Sequence, residues 1–159
     1  GGGDGQESTQ KGIEALKEAC KEDDIVIVHD AIRPFITPEV ISDAIFVCQT
    51  KGSGLSAVRC QETIVRTGDG VSGDENIGRQ EIMRVQTPQA YKYGKACWAY
   101  AEAARRNIKG EVYINTLMLH LGETVYFSRG TEKNVKITTI DDLEVFKALL
   151  NMEREDGIK

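Results

Sequence analysis

Residues 25–28 of this 159-residue chain are Ile-Val-Ile-Val, and they run into His29-Asp30-Ala31-Ile32-Arg33-Pro34-Phe35. Four consecutive β-branched residues read as a strand buried on both faces, the situation of parallel sheets covered by helices. In open α/β sheets, ligands bind beyond the carboxyl ends of the strands. A carboxylate at that place, a guanidinium three residues on and a Pro that bars helix suit a metal-bound or hydroxyl-rich phosphate ligand. The same residues also read as plain turn chemistry, with Asp30 capping the turn and Arg33 pairing with it. The run alone leaves both readings open.

Periodicity and punctuation place the other elements. Ser8 predicts the N-cap of a helix striped by Ile13, Leu16 and Cys20. Thr37-Pro38 opens a second helix with Val40, Ile41, Ala44, Ile45 and Cys48 inward; Gly52-Ser53-Gly54 ends it, before a strand over 55–58. Helix, strand, helix, strand points to an α/β layer fold. Residues 62–66 alternate like a half-exposed strand, 67–70 supply turn chemistry, and a second strand is expected near 81–85. Helices follow over 95–106 and 111–121, the latter closed by Gly122, with a strand over 123–127. Thr139 and Asp142 form a relative of the capping box before a helix that carries Leu143, Phe146, Leu149 and Leu150 on one face. With no repeat or low-complexity linker, a single domain over 1–159 is expected.

Composition narrows the partners. A net charge of −5 without a basic stripe argues against nucleic acid, whose phosphates demand clustered Lys and Arg. No apolar stretch approaches a membrane span, and no signal peptide is visible. Cys20, Cys48, Cys60 and Cys97 are scattered without a CxxC pair, so reduced thiols in a cytoplasmic protein are expected rather than zinc. Ser-His-Asp, Walker and GxGxxG patterns are absent.

Two further segments stand downstream in order: Arg84-Val85-Gln86-Thr87-Pro88-Gln89 and Asn134-Val135-Lys136-Ile137-Thr138-Thr139-Ile140-Asp141-Asp142-Leu143. Together with the His29–Phe35 run they resemble the signature of the cytidylyltransferases that activate polyol phosphates, namely the 2-C-methyl-D-erythritol 4-phosphate and ribitol-5-phosphate cytidylyltransferases. The resemblance covers essentially the whole chain. It implies a Rossmann-like three-layer α/β fold of the nucleotide-diphospho-sugar transferase kind, with a protruding β-arm over 60–86. It also implies transfer of CMP from CTP to a C5 polyol phosphate with release of pyrophosphate, magnesium as cofactor, and a cytoplasmic homodimer joined through the arm. The acceptor is expected to be methylerythritol phosphate, for isoprenoid precursors, with ribitol phosphate as the alternative. Gly1-Gly2-Gly3-Asp4-Gly5-Gln6-Glu7-Ser8 looks like the family's GG-x-x-R-x-x-S segment, which lies well inside the family's proteins. The chain is therefore expected to be the C-terminal part of an enzyme, inactive without the Gly-rich loop that grips the CTP phosphates. A non-catalytic dimerisation or binding module of the same fold is the reading from another class.

The resemblance also assigns roles. Gly1, Gly2 and Ser8 would touch the cytidine, since close backbone approach needs glycine; Ser8 can cap its helix as well. Asp30 and Ala31 would lie between nucleotide and polyol, with Asp30 at the metal or a hydroxyl. Arg33 would bind the acceptor phosphate, and Thr87 would contact the acceptor of the partner subunit unless it only serves the turn before Pro88. Lys136 would face the reacting phosphates as a point charge, and Thr138 would assist substrate binding. Lys136 also reads as an exposed strand residue between Val135 and Ile137. His29 is expected to position the loop by hydrogen bonding, because an ionised phosphate oxygen needs no general base. Two departures stand out: Gly5 replaces the pattern's Arg, and Val112-Tyr113 replaces a Thr-Asp expected near the acceptor phosphate. Either the acceptor differs or Asn115 and Thr116 take over, and a lapsed relative is the third reading.

Overall fold

The structure, a computed structural model, describes residues 1–156, with side chains through residue 152, so the end of the expected 1–159 domain lies outside the described residues. Its sheet has the order β1 (Ile25–Val28), β5 (Met83–Lys92), β2 (Ser53–Arg59), β6 (Phe127–Arg129). β5 runs antiparallel to β1 and β2, while β2 and β6 are parallel. The sheet is therefore mixed, with β1, β2 and β6 pointing the same way. One face packs Val26, Leu55 and Tyr91 against Ile13 of α1 (Gly5–Glu14), Ala96 and Tyr100 of α3 (Tyr93–Arg105), and Leu117 of α4 (Ile114–His120). The other face packs Ala90 against Ala44 and Cys48 of α2 (Pro38–Lys51). Helices on both faces make the three layers that the sequence implies.

Several boundaries differ from expectation for physical reasons. β1 is not buried on both faces. Val26 is 6% exposed but Ile27 is 39% exposed, because β1 pairs only with β5 and α2 sits over β2 instead. Asp4, not Ser8, caps α1: its carboxylate accepts the Glu7 N–H at 2.8 Å, one turn earlier. α1 ends at Glu14, and looser turns carry Leu16 and Cys20 to the core. α4 starts only at Ile114, with Tyr113 at its N-cap. The expected strand over 123–127 is displaced to β6, since Glu123 closes α4 by donating to the Met118 carbonyl at 2.9 Å.

The arm is also rearranged. β3 (Ile64–Arg66) pairs with β4 (Glu75–Ile77) in a separate two-stranded ribbon. Residues 83–85, expected to close this hairpin, instead begin β5 and pair with Arg59, Val58 and Ala57 of β2. α5 (Ile140–Asp156) opens with the expected reciprocal cap: Thr139 N–H donates to Asp142 at 2.8 Å, and Asp142 N–H donates to Thr139 Oγ1 at 3.2 Å. Phe146 of α5 packs on Phe35, with ring centres 5.2 Å apart, so α5 braces the loop after β1. Among the described residues no helix is long and apolar enough to cross a membrane.

α2 lies so close to β2 that a Cβ built on Gly54 would sit 2.0 Å from the Ala44 carbonyl oxygen. Gly54→Ala must push the helix off the sheet, at a cost of about 1–3 kcal/mol. Urea unfolding monitored by circular dichroism measures this, and an unchanged midpoint would show that α2 is not seated on β2 as described.

Candidate active site

The site forms where three distant segments meet beyond the end of β1. The β2–β5 register passes from Leu55↔Gln89 to Ala57↔Val85, so Gln86, Thr87 and Pro88 all stand opposite Ser56. Pro88 has no N–H to give the ladder, and the extra residues bulge out of it. The bulge brings Thr87, 1% exposed, under the loop after β1. Asp30 N–H donates to Thr87 Oγ1 at 3.0 Å, and that hydroxyl meets His29 Nδ1 at 3.0 Å. His29 Nε2 lies 3.0 Å from the Arg33 carbonyl. A carbonyl only accepts, so the network assigns the proton to Nε2 and leaves Nδ1 to accept from Thr87. His29 thus positions the loop, as expected.

The third segment locks the arrangement. Asn134, fully buried, donates its side-chain Nδ2 to the Thr87 carbonyl at 2.7 Å, and its backbone carbonyl accepts from Arg33 Nη1 at 2.8 Å. Ile137 N–H donates to the Ile32 carbonyl at 2.9 Å. Lys136 is consequently no exposed strand residue. Its Nζ lies 3.7 Å from Asp30 Oδ2 and 2.5 Å from Tyr113 Oη, and Arg33 Nε lies 3.4 Å from the same Asp30 oxygen. The side chains of Arg33, Asp30 and Lys136 are 12%, 19% and 33% exposed. Asp30, Arg33, Gln86, Thr87, Tyr113 and Asn115 line a small cavity of about 70 Å³ there. Two cations against one carboxylate give the place a net positive potential in a partly desolvated setting, which attracts phosphate. The Tyr113 oxygen, and Asp30 after it, hold the Lys136 ammonium above the usual lysine range, against partial burial and the Arg33 charge.

The remaining expected residues divide. Gly2 N–H donates to Ser8 Oγ at 2.8 Å, and a Cβ on Gly2 would lie 2.5 Å from the Ser8 nitrogen, so glycine is required there. A Cβ on Gly1 would make only ordinary contact with Ser8 Oγ at 3.9 Å, and Ala31 is exposed. Ser8 and His29 line one groove of about 550 Å³ between α1 and β1, which runs from the Ser8 end of α1 to the start of the loop after β1. Thr138 is not brought into the cavity: its N–H and hydroxyl both donate to Asp142 at 2.9 Å, capping α5. The Thr87 hydroxyl is engaged by its own chain, not by turn chemistry, because Thr87 lies inside β5. Asn115 lines the cavity and accepts from Gln89 at 3.2 Å, whereas the Thr116 hydroxyl only caps the Tyr113 carbonyl. Roles for Gln86, Asn134 and Tyr113 were not read from the sequence. Asn134 and Gln86 stand in the motifs that carry the resemblance, and Tyr113 stands at one of its departures.

Residues 1–152 match the family model described as 2-C-methyl-D-erythritol 4-phosphate cytidylyltransferase (IspD). The chain belongs to this family. Among its relatives, a ribitol-5-phosphate cytidylyltransferase of Lacticaseibacillus paracasei is 42% identical over 152 residues, covering 94% of this chain and 65% of the relative. A 2-C-methyl-D-erythritol 4-phosphate cytidylyltransferase of Alkaliphilus metalliredigens is 38% identical over 157 residues, covering 99% and 63%. The crystal structure of the 2-C-methyl-D-erythritol 4-phosphate cytidylyltransferase from Thermus thermophilus superposes with a TM-score of 0.81 at 27% identity, covering 94% of this chain and 70% of that one. The chain thus spans just under two thirds of the length of these curated IspD-family relatives.

Hydrogen bonds from Thr138 and Thr139 lower the Asp142 carboxyl from its ordinary 3.8 to about 2. A depressed folded-state value stabilises above the unfolded value and loses that contribution as pH falls through the folded one. The start of α5 is therefore expected to hold above about pH 4 and to loosen towards pH 2. Hydrogen exchange of the Asp142 and Leu143 amides over that range reads this, and equal acid sensitivity in Asp142→Asn would refute it.

Proposed function

We propose that the chain forms the acceptor side and part of the nucleotide side of a CTP-dependent cytidylyltransferase acting on a C5 polyol phosphate. The observation that carries this reading is the convergence of Asp30, Arg33 and Lys136 beyond the end of β1, two cations around one carboxylate, beside a small cavity that Asp30 and Arg33 line. An oxygen of the acceptor phosphate attacks the α-phosphorus of CTP; a P–O bond forms, the α–β anhydride bond breaks, and pyrophosphate leaves. Arg33, fixed at Asp30 and Asn134, presents a rigid fork suited to the acceptor phosphate. Lys136 faces the charge that builds on the transferred group, where a fixed cation lowers the barrier. Ser8, held by the Gly2 N–H, lines the groove that would take the nucleoside.

Magnesium fits this donor set. Both cations face Asp30 Oδ2, and Oδ1 accepts no hydrogen bond among the described residues. Among those residues no cluster of three or more His, Cys, Asp or Glu forms a metal cage. A single carboxylate oxygen is what magnesium uses when substrate phosphates and water supply its other ligands. Bound there, magnesium would neutralise triphosphate charge. The reading places the protein in the cytoplasm, where CTP is made available.

Pyrophosphate release from CTP by the full-length gene product, with methylerythritol 4-phosphate and ribitol 5-phosphate offered in parallel, tests the reading. The family model favours the first acceptor, and the 42% identical relative favours the second. Turnover with one of them is expected, and Asp30→Asn should reduce it about a hundredfold to a thousandfold. Turnover with neither would leave a non-catalytic module of the same fold.

The ribbon is the proposed dimer contact. An isolated two-stranded ribbon is marginal in water, and this one leaves Val65 51% and Val71 92% exposed. Sedimentation should show a dimer that Val65→Asp with Val71→Asp converts to monomer. A dimer of unchanged strength in the double variant would place the contact elsewhere.

A further inference from the structure

We propose that Tyr113 is a positioning residue for Lys136: its phenol oxygen fixes the ammonium beside Asp30 and Arg33. This deepens the cytidylyltransferase reading and rests on it. Lysine carries a flexible four-carbon stem, so a point charge on it acts with full effect only where something fixes its head. Asp30 alone fixes it poorly, at 3.7 Å and with Arg33 drawing on the same oxygen. The close partner is Tyr113 Oη at 2.5 Å. The Tyr113 ring centre lies 5.3 Å from Nζ, so the ammonium is held at the oxygen rather than over the ring face.

A phenol can position another group only if it is itself held, and the loop that carries Tyr113 is clamped at both ends. On its far side, the Gln6 side chain of α1 donates to the Ile108 carbonyl at 3.1 Å and accepts the Glu111 N–H at 2.9 Å. Val112 rests on Gly5, where a Cβ would come within 2.9 Å of Val112 Cγ1. On its near side, the Tyr113 carbonyl accepts from Leu117 N–H at 3.1 Å and from the Thr116 hydroxyl at 2.9 Å. The two departures from the family pattern, Gly5 and Val112-Tyr113, are therefore one contact. The glycine makes room for the valine, and the next residue reaches the lysine. Where the pattern has a carboxylate, this chain meets the ammonium with a neutral oxygen, which holds Lys136 without cancelling its charge.

The test is a double-mutant cycle in the full-length protein, with Tyr113→Phe, Lys136→Met and both together. Tyr113→Phe keeps the ring and removes only the oxygen, so its melting temperature should stay at the wild-type value. Its kcat is expected to fall about tenfold, the lower range for a lost hydrogen bond to a charged group, with the acceptor KM within about twofold. In the Lys136→Met background the same change should cost nothing further. Binding of inorganic phosphate, followed by calorimetry without CTP, should weaken in Tyr113→Phe and not further in the double variant. This readout stands even if neither polyol phosphate is turned over, which separates failure of the proposal from failure of the cytidylyltransferase reading. An equal loss from Tyr113→Phe with and without Lys136, or wild-type kcat and phosphate binding in the single variant, would overturn it.

Discussion

The site depends on one buried amide. Asn134 has no solvent exposure, and it ties its own segment to the loop after β1 and to the bulge of β5. Its side-chain N–H holds the Thr87 carbonyl at 2.7 Å in the bulge of β5, and its backbone carbonyl holds Arg33 at 2.8 Å in the loop after β1. Lys136 follows it by two residues. A buried amide without its partners costs about 1–3 kcal/mol, so these bonds hold the segments together and also fix their spacing. Hydrophobic packing alone could bring the loops near each other, but it is non-directional and would not aim a guanidinium. The Gln86 carboxamide, which donates to the Thr131 carbonyl at 2.9 Å, extends the same network to the loop before Asn134.

The scaffold and the site use different chemistry, and the β5 bulge is where they meet. From Gln89 onward the strand pairs regularly with β1 and β2, and Ala90 and Tyr91 are fully buried on its opposite faces. On the other side of the bulge, from Val85, it pairs with β2 alone. The interruption frees Gln86 and Thr87 from the ladder just where the carboxyl end of β1 stops. A strand with unbroken pairing would have offered only backbone there, and no hydroxyl could have bridged His29 and the Asp30 amide.

Local chemistry was legible in the sequence, and pairing was not. Asp30 and Arg33 could be read because Pro34 bars helix and fixes the loop type within a few residues. Thr139 and Asp142 could be read because a capping box is complete within four positions. Ser8 was misplaced as a cap because Asp4, an equally good cap, lies one turn earlier, and intrinsic preference does not choose between them. Of the segment near 81–85, residues 83–85 are strand as read, while Glu81 closes a short 3-10 turn; the strand was given the wrong partner, since alternation reports exposure and not which strand lies alongside. Ile27 was expected inside because edge status belongs to the sheet, not to the residue. Thr138 was assigned to substrate, and its N–H and hydroxyl also donate to Asp142, bonds outside the four positions of the capping box. Tyr113 was seen as a loss of the expected acid, because nothing in the sequence shows that Lys136 lies within reach.

The spacing of the charges bears on what the site does. Ion pairs on the surface close tightly: Arg66 to Glu75 at 2.6 Å, Lys92 to Asp23 at 2.7 Å, Lys95 to Glu123 at 2.9 Å. At the end of β1, where the groups are more buried and a tight pair would gain more, the distances to Asp30 lengthen to 3.4 and 3.7 Å. A purely structural pair would be expected to contract as solvent is withdrawn, since attraction strengthens in lower dielectric. Here each cation is turned partly to a neutral oxygen instead, Arg33 to the Asn134 carbonyl and Lys136 to the Tyr113 phenol. Neutral partners orient a cation and leave its charge in place. The cluster therefore keeps two fixed positive charges only partly balanced by one carboxylate, an arrangement that leaves it open to an anion.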